Sequence, residues 1–191
     1  MVAVVFGIPG VGKSTIVTMV KDKLGLVYIH PGNTMFEIAK GQGIVTEVDD
    51  MRKLKLNVQQ KLQEQMAQKI ADMIKEQPGK SFIIDTHAIV KTPQGFFPGL
   101  RSVFFDLISP DIYIVVESDP QEIYQRRIAD QSRSRTDDHS LKDIILHIDL
   151  TRDFASAYSI QSQANFAVIE NKQGQICLLY TSPSPRDRQK S

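Results

Sequence analysis

The stretch that most constrains this chain lies at its start, where a short apolar run leads into a glycine-rich loop. Residues 2–6 are apolar and mostly β-branched, which predicts a buried strand. They are followed by Gly7-x-x-x-x-Gly12-Lys13-Ser14 and then by a helical pattern. Strand, glycine loop and helix are the context in which this motif, the P-loop, binds phosphate groups. The sequence therefore predicts a site for a nucleoside triphosphate.

The residue types of the loop assign their roles. Its glycines allow several backbone N–H groups to face one oxyanion, and the helix that starts near Lys13 adds the positive end of its dipole. Lys13 is expected to reach the β- and γ-phosphates, and the Ser14 hydroxyl is expected to ligate Mg²⁺. The predicted nucleotide-binding set is the whole loop: Gly7, Ile8, Pro9, Gly10, Val11, Gly12, Lys13, Ser14 and Thr15.

Composition adds only broad limits. A length of 191 residues suggests one domain, and 41% apolar with 24% charged residues is ordinary for a globular protein. A net charge of +1 gives no electrostatic case for nucleic acid or membrane partners. The one cysteine, Cys177, excludes an internal disulfide and fits a reducing compartment. The first apolar run is too short to span a membrane, so the expected location is the cytoplasm.

Periodic apolar segments alternate with short strands along the chain. Gly25 fits the end of a helix over residues 13–24, and Thr34-x-x-Glu37 predicts a capping box for a short helix that Gly41 closes. Further predicted elements are strands at 26–29, 81–87, 111–117 and 165–170, a helix within 49–76 capped by Asn57, and helices starting at Asp119 and Ser140. This alternation predicts an α/β fold with a parallel sheet flanked by helices.

A carboxylate follows one of these strands. Asp85 ends the apolar part of the 81–87 segment, which is where a magnesium-binding carboxylate would lie in a P-loop protein; a capping or turn aspartate is the alternative. Residues 91–99 contain two prolines and two glycines together with two phenylalanines, which predicts an unusually apolar loop. The histidines show no metal-ligand spacing, so no zinc site is predicted.

Arginines are concentrated in one later stretch. Arg126, Arg127, Arg133 and Arg135 lie close together without a lysine, and Arg152 is a fifth candidate. A solvated charge run is the alternative interpretation. Guanidinium groups bind phosphate oxygens in pairs, and beside a P-loop such a segment can neutralise the charge that spreads onto a transferred phosphoryl group. The helix that starts at Ser140 is expected to carry Ile144, Ile145 and Ile148 on one side.

A P-loop fixes a ligand rather than a reaction, so the remaining motifs decide between classes. A GTPase would need D-x-x-G, which Asp85-Thr86-His87-Ala88 is not, and N-K-x-D, of which the segment at 171–174 lacks the aspartate. AAA-type machines are usually larger. A small kinase with an arginine lid remains, and no residue stands out as a general base. The lack of a base suits an acceptor that is itself a phosphate. Its second pKa is about 6, so at neutral pH it is already a nucleophilic dianion and needs no group to remove a proton.

Several segments of the chain resemble the archaeal-type adenylate kinases, in the same order and over residues 1–175. They are GIPGVGKST, GNTMFEIA, DDMRKLKLNVQQKLQEQMAQKIADMI, DTHAIVKTPQGFFPGL, DIYIVVESDPQEIYQRRIAD and SRSRTDD. The resemblance implies a P-loop kinase fold with a central five-stranded parallel sheet and a short arginine-rich lid. It further implies the Mg²⁺-dependent conversion of ATP and AMP into two ADP, and a homotrimer.

The same resemblance implies roles for particular residues. The AMP site would contain Gly32, Asn33, Thr34, Met35 and Arg52, with Thr86 and His87 on the floor between the two nucleotides. Lys13 and the five arginines would act in catalysis, and Ser14 and Asp85 would hold the metal. Residues 30–77 would form the monophosphate-binding region and residues 126–140 the lid. A kinase for another monophosphate or a small hydroxyl metabolite, and a non-catalytic ATP-binding interaction protein, stay open as alternatives.

The end of the chain differs from the rest. From Cys177 the sequence CLLYTSPSPRDRQKS has three apolar residues followed by proline, serine and charge without periodicity. Its first part resembles a translated adapter from DNA sequencing libraries. We therefore expect one kinase domain over residues 1–176 and a non-native tail over 177–191, with an apolar strip of the domain left uncovered.

Overall fold

A five-stranded parallel sheet forms the centre of the computed structural model, which describes residues 1–92, 95–129 and 140–172. The strands are β1 (Val2–Phe6), β2 (Val27–Ile29), β3 (Phe82–Asp85), β6 (Ile112–Glu117) and β7 (Asn165–Glu170), and a separate hairpin contains β4 (Ile89–Thr92) and β5 (Gly95–Pro98). The helices are α1 (Lys13–Leu24), α2 (Pro31–Gly41), α3 (Leu56–Lys75), α4 (Ser102–Ile108), α5 (Pro120–Ala129) and α6 (Leu141–Ser162). The expected α/β class and parallel sheet are confirmed.

The order of the strands brings the functional segments together. The sheet runs β2-β3-β1-β6-β7, so the chain leaves β1 first toward one edge and later toward the other. In open α/β sheets, ligands bind beyond the carboxyl ends of the strands where the direction of winding changes. The P-loop follows β1 at this point, Asp85 ends the neighbouring β3, and the α5 arginines follow β6 on the other side.

Apolar side chains cover both faces of the sheet. On one face Phe6, Ile84 and Tyr113 pack against α3, α4 and the second half of α6. On the other face Val5 and Val116 pack against α1, α5 and the first half of α6. Because β1 is central and covered on both faces, all five of its residues are buried, as the apolar run predicted. The P-loop therefore starts from a strand that is buried on both faces of the sheet.

The start of α2 differs from the prediction. Thr34 and Glu37 do not form a capping box, because the helix already begins at Pro31. The N-cap is His30, whose Nδ1 accepts a hydrogen bond from the Asn33 backbone N–H at 3.1 Å. Proline at the first helical position has a suitable φ and needs no hydrogen-bond partner for an N–H, so Pro31 starts this helix instead of breaking the chain.

The predicted cap of α3 is also wrong. This helix begins at Leu56 with Lys55 at the cap position, and the Asn57 side chain accepts the N–H of Val58. The preceding residues form a 3₁₀ helix, Val48–Lys53. The apolar stripe of α3 is as expected, with Leu62, Met66 and Ile70 buried.

The apolar segment after Asp85 forms a hairpin rather than a loop. Strands β4 and β5 pair antiparallel around residues 93–94, which lie outside the described part. Phe96 packs at 5.4 Å, ring centre to ring centre, from His147 on α6, and the Tyr158 hydroxyl donates to the Ala88 carbonyl at 2.8 Å. Aromatic residues are good strand formers, and Phe96 packs onto α6, which explains why the proline and glycine content misled the prediction.

Strand β7 forms one edge of the sheet and carries exposed apolar residues. Phe166 and Val168 are 37% and 45% exposed.

On α6, Ile144 and Ile148 are buried but Ile145 is 43% exposed, so the three isoleucines do not share one side as expected. The tail at 177–191 lies outside the described residues, and its non-native origin stays a prediction. In the part of the chain that is described, no helix has the length and apolarity to cross a membrane.

Candidate active site

Two glycines of the P-loop have backbone conformations that other residues rarely adopt. Gly10 and Gly12 have φ angles of 90° and 86°. L-residues disfavour this region because the Cβ atom crowds the backbone. Gly7 is required for a different reason, since a Cβ there would lie 2.9 Å from the Val116 carbonyl oxygen. The loop therefore turns at two glycines and packs closely against β6 through the third.

Lys13 lies at the first position of α1 and is buried against the end of β3. Its Nζ forms an ion pair with the Asp85 carboxylate and donates to the Thr86 carbonyl at 2.9 Å. The second Asp85 oxygen accepts the Tyr28 hydroxyl at 3.1 Å. Burial lowers the pKa of Lys13, although the Asp85 carboxylate opposes this shift. Partial burial, and then the same carboxylate, raise the pKa of Tyr28 to about 12.

The predicted metal ligands can be tested against Mg²⁺ chemistry. Ser14 is exposed at the start of α1, and Asp85 is 2% exposed at the end of β3. A hydroxyl and a carboxylate suit Mg²⁺, which usually takes one or two protein oxygens and completes its shell with water and phosphate oxygens. Within residues 1–92, 95–129 and 140–172, no three His, Cys, Asp or Glu side chains cluster as a metal site. The residues present fit Mg²⁺ held together with a nucleotide.

Two of the predicted arginines hold the backbone of the P-loop. Arg127 donates from Nε and Nη2 to the Pro9 carbonyl at 2.9 and 2.6 Å. Arg126 lies 3.4 Å from the Gly10 carbonyl and forms an ion pair with Glu122 at 2.7 Å. Both belong to α5, so the first residues of the predicted lid are the last turns of a helix. Their guanidinium groups lie beside the loop that is expected to bind the phosphates.

The other predicted arginines are placed differently. Arg152 on α6 makes two hydrogen bonds to the Glu117 carboxylate, at 2.8 and 2.6 Å. Glu117 ends β6, so Arg152 lies at the carboxyl edge of the sheet but is paired there with a carboxylate. Arg133 and Arg135 lie outside the described residues, as does the rest of the lid after Ala129 up to position 139.

The residues expected to hold AMP lie at the first turn of α2. Asn33 is exposed, Thr34 and Met35 are partly buried, and a Cβ on Gly32 would lie 3.0 Å from the His30 ring. The Thr34 hydroxyl is 3.4 Å from the His30 carbonyl. Arg52 belongs to the 3₁₀ helix, and its side chain is outside the described part. The first turn of α2 follows β2, the neighbour of β3, so it begins at the same edge of the sheet as Lys13.

His87 lies between these two regions. Burial lowers the pKa of His87 to about 4, and the positive charge of Lys13 acts in the same direction. The Asp85 carboxylate and a hydrogen bond with the Gly7 backbone oppose the shift. The imidazole is therefore neutral near pH 7. The neighbouring Thr86 accepts a hydrogen bond from Lys13 through its backbone carbonyl.

Replacing His87 with glutamine should make stability less sensitive to acid. The folded pKa lies below the unfolded value, so between about pH 6.5 and 4 the unfolded chain binds a proton that the folded chain does not. Wild-type stability should therefore fall as the pH falls through this window, by at most about 1.4 kcal/mol per unit from this group. Urea unfolding of both proteins at several pH values measures the difference. Parallel pH dependences would contradict the assignment.

Tyr28 and Asn171 belong to this site but were not predicted. Tyr28 contacts Asp85 from the edge strand β2, and no local pattern marks it. Asn171 follows β7, and its side-chain amide donates to the Val11 carbonyl at 2.8 Å. In the sequence, Asn171 was considered only as part of the 171–174 segment, which lacks the aspartate of the guanine-binding N-K-x-D motif. Both contacts join distant parts of the chain, so short-range patterns carry no signal for them.

A parallel sheet with a P-loop after its central strand, a buried lysine and loop-binding arginines is the arrangement of the P-loop kinase fold. Shikimate kinase from Acinetobacter baumannii shares this fold, with a TM-score of 0.57 at 14% identity over 93% of this chain and 87% of that chain. A family model described as an AAA domain matches residues 6–144. This match concerns a domain family, and the expectation that the chain is not an AAA-type machine is untouched by it.

Sequence similarity is more specific. The adenylate kinase of Methanococcus vannielii is 38% identical over 180 residues, which are 92% of this chain and 92% of that protein. The adenylate kinase of Pyrococcus furiosus is 41% identical over 172 residues, 89% of this chain and 86% of that protein. The chain thus carries the matched AAA-type P-loop domain and belongs to the adenylate kinases, a family of nucleoside monophosphate kinases. The predicted resemblance is confirmed.

Proposed function

We propose that the protein transfers the γ-phosphoryl group of ATP to AMP, reversibly, giving two ADP. The observation that carries the proposal is the position of Lys13. It is 8% exposed, starts the helix after the P-loop and contacts the end of β3, next to the segment that begins at Asp85. A lysine in this place can accompany a phosphoryl group that passes from the P-loop toward an acceptor beyond β3. Membership of the adenylate kinases supports AMP as that acceptor.

Among the described residues near Lys13 none is a suitable base, which favours a phosphate acceptor over a hydroxyl acceptor. One carboxylate oxygen of Asp85 forms an ion pair with Lys13, and the other accepts a hydrogen bond from the Tyr28 hydroxyl. His87 has a pKa of about 4, so it is a weak base at neutral pH. A hydroxyl acceptor needs a group that removes its proton, whereas the phosphate of AMP is already largely a dianion, with a second pKa of about 6. The site therefore suits a nucleoside monophosphate better than a small alcohol.

The chain's own groups have distinct tasks in this reaction. The P-loop N–H groups and Lys13 hold the β- and γ-phosphates of ATP and stabilise the charge of the transferred group. Arg126 and Arg127, now bound to P-loop carbonyls, lie close enough to exchange these for phosphate oxygens. Arg152 would have to leave Glu117 to act, and Arg133 and Arg135 are proposed to close over the phosphates and exclude water.

Ser14 and Asp85 would hold Mg²⁺, which supplies charge neutralisation and orientation of the phosphates. Lys13 would then exchange part of its contact with Asp85 for phosphate oxygens. The first turn of α2 with Arg52 would hold AMP, and Thr86 and His87 would separate the two nucleotides.

The cytoplasmic location and the homotrimer are also parts of this proposal. Light scattering at several concentrations tests the trimer.

A coupled assay of ATP consumption across acceptors tests the function. AMP should support turnover at least tenfold faster than CMP, UMP or GMP, and small hydroxyl acceptors should give only background. Faster turnover with another monophosphate would replace AMP as the substrate. Activity with an alcohol, or ATP binding without turnover on any acceptor, would overturn the proposal in favour of the metabolite-kinase or interaction-protein alternatives.

A further inference from the structure

Asn171 is fixed at the junction of β6, β7 and the P-loop. It follows the last residue of β7 and is 3% exposed. Its backbone N–H donates to the Glu117 carbonyl at 2.6 Å, and the Ser118 hydroxyl donates to its carbonyl at 2.7 Å. The backbone of Asn171 is therefore held by the end of β6, which leaves its side chain with a defined direction.

That side chain is directed at the P-loop. Nδ2 donates to the Val11 carbonyl at 2.8 Å. The same amide occupies the space that a side chain on Gly12 would need, so position 12 must be glycine for this contact as well as for its φ of 86°. Asn171 thus binds the peptide group between Val11 and Gly12, immediately before α1 begins.

The orientation of that peptide group matters for phosphate binding. A trans peptide is planar, and its C=O and N–H point in opposite directions. Holding the Val11 carbonyl toward Asn171 therefore turns the Gly12 N–H away from Asn171. Backbone N–H groups with fixed directions form the oxyanion cradle of a P-loop.

The other half of the Asn171 amide is a buried acceptor. Oδ1 is buried and has no hydrogen-bond partner among the described residues. A buried acceptor without a partner destabilises the folded state, and such atoms in native proteins call for an explanation. The hydrogen bond from Nδ2 to the P-loop provides that explanation.

We infer that Asn171 is a positioning residue that presets the P-loop for the phosphates of ATP. It does not touch the reacting atoms and acts through the Val11–Gly12 peptide group. The inference rests on the proposed role of the P-loop in ATP binding. A loop whose N–H groups already have their bound directions loses less conformational freedom on binding, so ATP should bind more tightly.

Two substitutions of similar size remove the donor. Asn171→Leu leaves an apolar side chain, and Asn171→Asp replaces the donor with an acceptor. Asn165→Leu is the matched control, because Asn165 starts the same strand, is exposed, and donates to the Asp111 carbonyl at 3.3 Å. Calorimetry with ATP alone, steady-state kinetics, hydrogen exchange of the loop and thermal unfolding are compared for all four proteins.

Both Asn171 variants should bind ATP about tenfold more weakly, which corresponds to the loss of roughly one hydrogen bond. The KM for ATP should rise by a similar factor, the KM for AMP should change less than twofold, and the Gly12 amide should exchange faster. The Leu variant should unfold within a few degrees of wild type, and the Asn165→Leu control should bind ATP normally.

An unchanged ATP affinity in Asn171→Leu would overturn the inference. So would a variant that no longer folds, because the contact would then be a requirement of the fold. If the wild type binds ATP but transfers phosphate to no monophosphate, the proposed function fails while the binding comparison still decides the role of Asn171.

Discussion

Replacing Lys13 with methionine is expected to lower kcat by at least about 10³-fold. The Lys13 side chain reaches from the P-loop to the end of β3, where its Nζ contacts Asp85 and the Thr86 carbonyl. Its charge stabilises a transferred phosphoryl group more than it stabilises bound ATP, so kcat should fall much more than the affinity for ATP. Coupled-assay kinetics and calorimetry measure the two effects. Retention of near wild-type kcat would exclude the P-loop from the reaction.

The same substitution should destabilise the fold through Asp85. Removing one member of a buried ion pair leaves the other charge without compensation, which typically costs about 3–5 kcal/mol. The double variant Lys13→Met/Asp85→Asn removes that charge and should regain much of the lost stability while staying inactive. Urea unfolding of the single and double variants tests this. Equal stabilities would indicate that the Tyr28 hydroxyl and water satisfy Asp85 without Lys13.

Asp85→Asn alone is expected to lower kcat by about 10²- to 10³-fold and to abolish the preference for ATP with Mg²⁺ over ATP without it. An amide offers one neutral oxygen in place of the carboxylate that pairs with Lys13 and is proposed to hold Mg²⁺. Calorimetric titration with ATP, in the presence and absence of Mg²⁺, gives a readout that is independent of turnover.

Tyr28→Phe is the matched control for Asp85→Asn. It removes the 3.1 Å hydrogen bond to the carboxylate but leaves the charge in place, so the preference for Mg²⁺ should persist. An Asp85→Asn protein that still binds ATP more tightly with Mg²⁺ would show that Asp85 is a structural partner of Lys13 and not a metal ligand.

Sequence was most informative where the determinants of a structure are close together in the chain. The P-loop, the start of α1 and the cap of α5 are each specified by a few consecutive residues. Asp119 accepts the Gln121 N–H at 2.7 Å and Pro120 begins the helix, as predicted. Local signals failed where two of them competed. The capping box at Thr34 and Glu37 indicated a later start, but Pro31 starts α2. The proline-rich segment after Asp85 pairs as a hairpin, whose Phe96 packs on α6.

Only the tertiary structure decided which groups meet at the site. Lys13 and Asp85 are 72 residues apart, and the Asn171 amide lies 160 residues from Val11. They come together because the parallel strands end at one edge of the sheet and the order β2-β3-β1-β6-β7 places β1 at its centre. The sequence by itself determined that a phosphate-binding loop follows β1. The partners of that loop depend on the order in which the strands pair, and no short segment of the chain encodes that order.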